Sequence, residues 1–110
     1  MPAHENLSRQ FSNYTLMFKP APEDDDMANH AIVAQQQGQH VGKMEWDIGT
    51  GDIVNIEVHP NHRRKGIATA MWNQAQDITG GNVGHSETRS DDGEAWAQSV
   101  GGDIPKRFEE

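Results

Sequence analysis

Three consecutive cations, Arg63, Arg64 and Lys65, are the side chains whose types and spacing point most clearly to chemistry. They follow a β-rich run that ends at a proline, and they precede Gly66 and a predicted helix. Positive charge is unfavourable at the start of a helix, because the aligned peptide dipoles already make that end positive. An anion bound to the free backbone N–H groups between the cations would remove this conflict. We therefore predict a cradle for a pyrophosphate group, which Gly66 and Ala68 allow to approach the backbone.

Hydrophobic patterning predicts the elements that position this cradle. Alternating or β-branched runs predict four strands, with a fifth short one late in the chain: Tyr14–Phe18, Ala31–Ala34, Val41–Trp46, Ile53–Val58 and residues 82–86. Apolar residues at helical spacing predict a helix that ends at Gly80-Gly81: Ile67, Ala68, Met71, Trp72, Ala75 and Ile78. The capping-box spacing of Asp91 and Glu94 predicts a second helix that ends at Gly101-Gly102.

These elements predict a single α/β (mixed α+β) domain over residues 1–110, with helices packed on a twisted, mostly antiparallel sheet. We expect residues 1–13 to be flexible, residues 14–102 to form the folded core and residues 103–110 to form a charged tail.

Composition narrows the class of protein. The 110 residues suffice for one small domain, and the absence of cysteine excludes disulfides, thiolate metal sites and a cysteine nucleophile. The N-terminal residues lack a signal-peptide pattern and no apolar run has membrane-spanning length, so we expect a cytoplasmic protein without membrane partners. The formal net charge of −8 disfavours nucleic-acid binding and favours cationic partners such as amines.

The cradle segment resembles the signature of the GNAT superfamily of N-acetyltransferases. In that signature, Arg or Gln, two residues, Gly, one residue and then Gly or Ala lie between the fourth strand and a helix. Here the segment is Arg63-Arg64-Lys65-Gly66-Ile67-Ala68, preceded by Val58 and Pro60. The resemblance extends over roughly residues 31–100, with Tyr14–Phe18 as a first strand, and is greatest to the short stand-alone members of bacteria and phages.

The resemblance implies an acyltransferase that moves an acetyl group from acetyl-CoA, or a related acyl-CoA, to an amine by direct attack. No covalent enzyme intermediate and no metal are implied. The backbone N–H groups of residues 64–69 would hold the pyrophosphate, and the edge of Ile53–Val58 would pair with the pantetheine arm. The implied CoA-binding residues are Ile56, Val58, Arg63, Arg64, Lys65, Gly66, Ile67, Ala68 and Thr69.

Amine attack needs a base, because a protonated amine with a pKa near ~10 is not nucleophilic. Glu57 is the first candidate, since strand alternation puts it with Asn55 and His59 on the face opposite Val54, Ile56 and Val58. His59 is the second candidate, because imidazole titrates near neutrality. The backbone N–H of Val58 could polarise the thioester oxygen.

The chain departs from the family pattern at the general acid. Members often carry an Asn at the start of the last helix and, seven residues later, a Tyr that protonates the leaving thiolate. The aligned positions here are Ser90 and Ala97, and the only tyrosine is Tyr14. We therefore expect His85, Ser86 or solvent to supply the proton.

The fold is also expected to be reduced. The segment from Lys19 to His30 is too short for the two helices that form one wall of the acceptor site in the family. The C-terminal strand pair is expected to be missing as well. In the gap left by those helices, Asp24-Asp25-Asp26 could attract a cationic acceptor, although a solvated loop is the commoner outcome for such a run.

Alternative functions remain open at this stage. The missing tyrosine and the reduced acceptor wall are compatible with a catalytically silent acyl-CoA-binding or protein-interaction module. A zinc site built from His59, His62 and His85 lacks a carboxylate or thiolate at ligand spacing. A homodimer is plausible because a thin core and an unfinished sheet leave apolar surface and a strand edge to cover.

Overall fold

The computed structural model describes residues 8–22, 29–85, 89, 91–101 and 104. The described chain contains five strands, two α-helices and one turn of 3-10 helix. The strands are β1 (Ser8–Phe11), β2 (Tyr14–Lys19), β3 (Asn29–Gln36), β4 (Gln39–Asp47) and β5 (Ile53–Val58). The 3-10 turn spans Pro60–His62, and the helices are α1 (Ile67–Thr79) and α2 (Asp91–Val100).

The five strands form one sheet in the order of the chain, and every neighbouring pair is antiparallel. The sequence Gln36-Gln37-Gly38-Gln39 is a hairpin turn signal, and a hairpin is observed there: Gln37 and Gly38, both at positive φ, connect β3 to β4. Such two-residue turns match the twist of antiparallel strands. The α/β fold with a mostly antiparallel sheet and packed helices is therefore confirmed.

Strand β1 was not predicted from the sequence, which assigns its residues to a flexible N-terminal segment. Ser8–Phe11 carries one apolar residue and two polar ones beside Arg9, so its hydrophobic alternation is too weak to indicate a strand. Antiparallel pairing with β2 supplies the missing stabilisation, and Arg9 also forms a 2.8 Å ion pair with Asp77 on α1.

Helix α1 packs across one face of the sheet, as its predicted apolar face requires. Ile67, Met71 and Ala75 are fully buried there against the apolar side chains of the central strands. The predicted end of the helix is confirmed at Gly80, which adopts a left-handed conformation and donates its N–H to the carbonyl of Gln76. Within the part of the chain that the structure describes, no helix has the length and apolarity needed to cross a membrane.

A β-bulge in β5 changes which side chains face the core. Asn55 pairs with Glu45 while Ile53 pairs with Trp46, so Val54 is an extra residue in the ladder. The expectation that Val54 shares a face with Ile56 and Val58 is wrong: Val54 is 51% exposed, and Ile53 is buried instead. The extra residue shifts the alternation by one position at this point of the strand.

The fold is reduced in size relative to the family pattern, as the sequence indicates. Strand β2 ends at Lys19 and β3 begins at Asn29, so the link between them is too short for two helices. The acidic run at residues 24–26 lies outside the described residues, and so does most of the segment where a C-terminal strand pair would fall.

Candidate functional site

The loop between β5 and α1, residues 59–66, leaves the backbone N–H groups of its second half, residues 64–66, available. Arg64 and Gly66 both have left-handed φ angles, of 63° and 83°. Gly66 is the N-cap of α1 but makes no side-chain capping bond, and the first turn of the helix contains no acidic residue. None of the backbone N–H groups of residues 64–69 donates a hydrogen bond to another described residue. The loop thus presents the free donors that an anion binds.

The cations of this loop have no acidic partner among the described residues. Arg63, Arg64 and Lys65 are exposed, and the ion pairs of the described chain lie elsewhere, at Arg9, Lys43 and Arg89. Unpaired cations are unexpected in a chain with a formal net charge of −8. Their clustering at free N–H groups favours a ligand with at least two negative charges.

Arg63 differs from its two neighbours because part of its side chain holds the loop in place. Its Nε donates to the carbonyl oxygen of Val58 at 3.0 Å, which ties the cradle to the last residue of β5. Arg64 and Lys65 make no such bond within the described chain, so their charges are the more available ones.

The hairpin of β1 and β2 contacts the same loop through two of its side chains. The hydroxyl of Tyr14 lies 2.9 Å from Nδ1 of His62, and the ring of Phe11 lies against Gly66, where an added Cβ would approach it to 3.2 Å. The contacts of Tyr14 with His62 and of Phe11 with Gly66 are not predicted from the sequence. These contacts join residues about fifty positions apart, and no local pattern in the sequence encodes them.

The outer edge of β5 has free backbone groups beside the cradle. His59 donates its N–H to the carbonyl of Val41, which makes this a hydrogen-bonded position of the β4–β5 ladder. Hydrogen-bonded and non-hydrogen-bonded pairs alternate in antiparallel strands, so the pairs of Val58 with Gly42 and of Ile56 with Met44 are non-hydrogen-bonded. The N–H and C=O groups of Ile56 and Val58 therefore point away from β4, and the C=O of Val58 there accepts the hydrogen bond from Nε of Arg63.

Among the described residues after α1, Gly84 pairs with this edge, at its far end. Gly84 forms a single parallel bridge with Asp52, accepting from the N–H of Ile53 at 2.8 Å and donating to the carbonyl of Gly51 at 2.9 Å. In the described part of the predicted strand over residues 82–86, which ends at residue 85, this bridge is the pairing observed. His85 then turns into the core, and among the described residues no further strand pairs with the edge of β5 at Ile56 and Val58.

Glu57 and His59, the predicted bases, differ in their availability. Glu57 is exposed on the face opposite α1, and its carboxylate contacts no cation of the described chain. His59 accepts the N–H of Asn61 at Nδ1, at 3.2 Å, so its neutral ring carries the proton on Nε2. This conformation suits His59 to donate a hydrogen bond and leaves Glu57 as the better placed acceptor of a proton.

His85 is buried and does not line the exposed edge of β5. It is 3% exposed, its ring stacks on Trp72 with centroids 4.4 Å apart, and its Nε2 lies 2.8 Å from the carbonyl oxygen of Gly101. These contacts favour a packing role that joins the end of α2 to α1. Ser86, the other predicted source of a proton, lies outside the described residues.

The remaining predicted CoA-binding residues divide between core and surface. Ile67 is buried, whereas Ala68 and Thr69 are half-buried at the first turn of α1. Thr69 accepts at Oγ1 a hydrogen bond from Nε1 of Trp96 on α2, at 3.2 Å. Its hydroxyl hydrogen therefore remains free to donate beside the cradle.

No metal centre emerges from the described part of the chain, which contains no group of three or more His, Asp or Glu side chains placed to hold an ion. The rings of His59 and His62 are neighbours, with centroids 5.9 Å apart, but His85 belongs to the separate contact with Trp72.

Comparison with protein families agrees with this geometry. A family model described as "Acetyltransferase (GNAT) family" matches residues 3–97. The chain belongs to the GNAT family. Searches of curated proteins and of solved structures found no match.

Acyl transfer, the activity that the GNAT family indicates in general, requires an acyl donor and an acceptor to meet. The residues present fit a CoA ester: free N–H groups and unpaired cations for its phosphates, and an open strand edge for its amide-containing arm. At the family's usual acid position, Ala97 is fully buried on α2, so this position offers no proton donor. Ser90 lies outside the described residues.

Proposed function

We propose that this protein transfers an acetyl group, or a similarly small acyl group, from acyl-CoA to an amine. The observation that carries the proposal is the adjacency of two sets of free backbone groups: the N–H groups of the cradle, residues 64–69, and the outward-facing N–H and C=O of Ile56 with the N–H of Val58 on β5. A CoA ester needs both, because its phosphates are charged and its pantetheine arm carries amide groups. The family membership supports acyl transfer in general.

In the proposed complex the phosphates lie against the cradle and the arm follows the edge of β5 as an added strand would. Arg64 and Lys65 neutralise the phosphate charge, and Arg63 keeps the loop attached to Val58. This path brings the thioester beside Ile56 and Val58. The N–H of Val58 points to the open edge and can donate to the thioester oxygen as charge develops there.

The amine approaches from the face opposite α1, where Glu57 is exposed. Glu57 accepts a proton from the ammonium form, directly or through a water molecule, and the neutral amine then attacks the carbonyl carbon. A C–N bond forms, the C–S bond breaks, the nitrogen releases its second proton to solvent, and the thiolate of CoA leaves and takes a proton. His59, with its proton on Nε2, and solvent are the donors we propose for that last step.

The acceptor is proposed to be a cationic amine, because the net charge of −8 attracts cations and the face around Glu57 is polar. Asn55 and Glu45 lie on that face beside it, joined by a hydrogen bond of 3.3 Å.

Turnover of acetyl-CoA with a panel of polyamines, amino sugars, amino acids and lysine peptides tests this function, with released thiol and acetylated product measured together. We expect at least one amine to give equal amounts of both. Binding of CoA without turnover of any amine would support a silent acyl-CoA-binding module instead.

A further inference from the structure

The only tyrosine of the chain is buried beneath the proposed CoA site. Tyr14 is 3% exposed, and its hydroxyl lies 2.9 Å from Nδ1 of His62, with the two rings in an edge-to-face contact. We propose that Tyr14 is a positioning residue that sets the shape of the cradle through His62, and that it is not the acid of the reaction. This inference rests on the proposed binding of CoA at the cradle.

The direction of the hydrogen bond follows from the burial of Tyr14. A buried phenol needs an acceptor for its O–H, and Nδ1 of His62 is the acceptor that the described chain provides. The neutral ring of His62 therefore carries its proton on Nε2. This fixes the tautomer and the orientation of a side chain that directly precedes Arg63.

Two contacts from one hairpin hold the two ends of the loop. Phe11 and Tyr14 are cross-strand partners at the turn between β1 and β2. Tyr14 contacts His62 before the cations, and Phe11 contacts Gly66 after them. The loop between these anchors includes Arg64 at a φ of 63°, a conformation that a non-glycine residue keeps only when its surroundings impose it. The hairpin supplies that constraint.

The location of Tyr14 argues against a direct role in proton transfer. The backbone of Tyr14 lies on β2, three strands away from β5 in the sheet. At the usual strand spacing, β2 and β5 are about 14 Å apart. The side chain of Tyr14 belongs to the buried core on the face of α1, whereas Glu57 is exposed on the opposite face. An effect of Tyr14 on the reaction must therefore pass through the loop.

The test compares Tyr14→Phe with Thr15→Val, which removes a neighbouring hydroxyl that contacts Gln10 away from the cradle. Calorimetric titration with CoA should show roughly three- to tenfold weaker binding for Tyr14→Phe, the usual effect of one hydrogen bond, and no change for Thr15→Val. His62→Leu should weaken binding similarly. The double variant Tyr14→Phe/His62→Leu should be no weaker than either single variant, because the two residues act as a unit.

Steady-state kinetics separate positioning from acid catalysis. We expect Tyr14→Phe to raise the KM for acetyl-CoA and to leave kcat at saturating acetyl-CoA unchanged. A fall in kcat at unchanged KM would overturn the inference in favour of an acid role. Wild-type protein that binds no CoA would overturn both proposals, whereas CoA binding that Tyr14→Phe leaves unchanged would overturn only this one.

A measurement on the unmodified protein guards against loss of folding in the variants. Long-range ¹H–¹⁵N correlation spectra distinguish protonated from unprotonated ring nitrogens. In the neutral ring we expect Nδ1 of His62 to be unprotonated and Nε2 to carry the proton. Protonation at Nδ1 in the neutral ring would show that Tyr14 does not donate, and would overturn the inference whether or not CoA binds.

Discussion

The side chain of Arg63 is bonded to the carbonyl oxygen of Val58, five residues earlier in the chain, through its Nε at 3.0 Å. The first cation of the cradle is thereby attached to the last residue of the strand that the pantetheine arm is proposed to follow. This hydrogen bond is one of the contacts that hold the two halves of the proposed CoA site together. The three cations are consequently not equivalent, although the sequence presents them as a run.

This inequality predicts different effects for two charge-conserving changes. Arg63→Lys should lower the free energy of unfolding by about 0.5–1.5 kcal/mol, because lysine has no Nε donor at that position along the side chain. Arg64→Lys should leave stability unchanged within measurement error, since Arg64 bonds no described residue through its side chain. Urea unfolding monitored by tryptophan fluorescence measures both. Equal stabilities of the two variants would contradict the anchoring role of Arg63.

The bridge between Asp52 and Gly84 depends on a close approach of two backbone segments at Gly51. This residue has a φ of 80°, and an added Cβ would collide with the carbonyl oxygen of Asn82. Gly51→Ala should therefore cost roughly 2 kcal/mol or more, from left-handed strain together with the collision.

The matched control for this change is Gly38→Ala, because Gly38 also has a positive φ, of 81°, but an added Cβ would meet nothing within 4 Å. It should cost only about 1 kcal/mol, from the strain alone. Thermal and urea unfolding of the two variants measure the difference. A cost for Gly38→Ala as large as that for Gly51→Ala would show that contact with Asn82 does not limit the fold.

Acid stability should depend on the turn between β4 and β5. Backbone N–H groups of Thr50 and Gly49 donate to the carboxylate of Asp47, at 2.8 and 2.7 Å, and hold its pKa below the ordinary value of 3.8. A carboxyl group whose pKa is lower in the folded state stabilises the fold above its unfolded pKa, and this contribution is lost as the pH falls through the folded value.

Asp47→Asn should therefore reduce the loss of stability between about pH 5 and pH 2, because the group that titrates is gone. Urea midpoints measured across this range give the slope. Asp52→Asn is the control, since the carboxylate of Asp52 accepts no hydrogen bond within the described chain, and it should leave the slope closer to that of wild type. An unchanged slope for Asp47→Asn would contradict the prediction.

Removal of the proposed base should slow the reaction without weakening CoA binding. Glu57→Gln should lower kcat by roughly 10²- to 10⁴-fold near neutral pH, the usual contribution of a general base. The defect should shrink as the pH approaches the pKa of the free amine, near ~10, because solvent then deprotonates the acceptor. Glu45→Gln, on the neighbouring strand and the same face, should have a much smaller effect. Wild-type kcat in Glu57→Gln would exclude Glu57 as the base.

The sequence predicts the elements of this fold well where a pattern repeats along them. The apolar or β-branched runs of β2 to β5 and the helical spacing of α1 are clear signals, and Gly38 and Gly80 mark a turn and a helix end that need positive φ. The short strand β1 escapes prediction because pairing with β2, and not its own pattern, stabilises it.

The site is predicted less completely than the fold, for a physical reason. The cations of the cradle stand in one contiguous run, so their chemistry is visible in the sequence. The bulge at Val54 is a property of register between two strands, and the contact of Tyr14 with His62 joins residues that only the folded sheet brings together. His85 looks like a candidate acid in the sequence, and only its stacking on Trp72 reveals a packing role.

Calorimetric titration of the protein with acetyl-CoA, CoA and free pyrophosphate tests the central claim most directly. It should be performed on wild type, on Arg64→Glu and on the control Lys19→Glu, which reverses an exposed charge at the opposite end of the sheet. We predict that wild type and Lys19→Glu bind both CoA species, and that Arg64→Glu binds them roughly a hundredfold more weakly because a carboxylate then faces the phosphates. Absence of CoA binding by the wild type, or equal affinity in Arg64→Glu, would contradict the account.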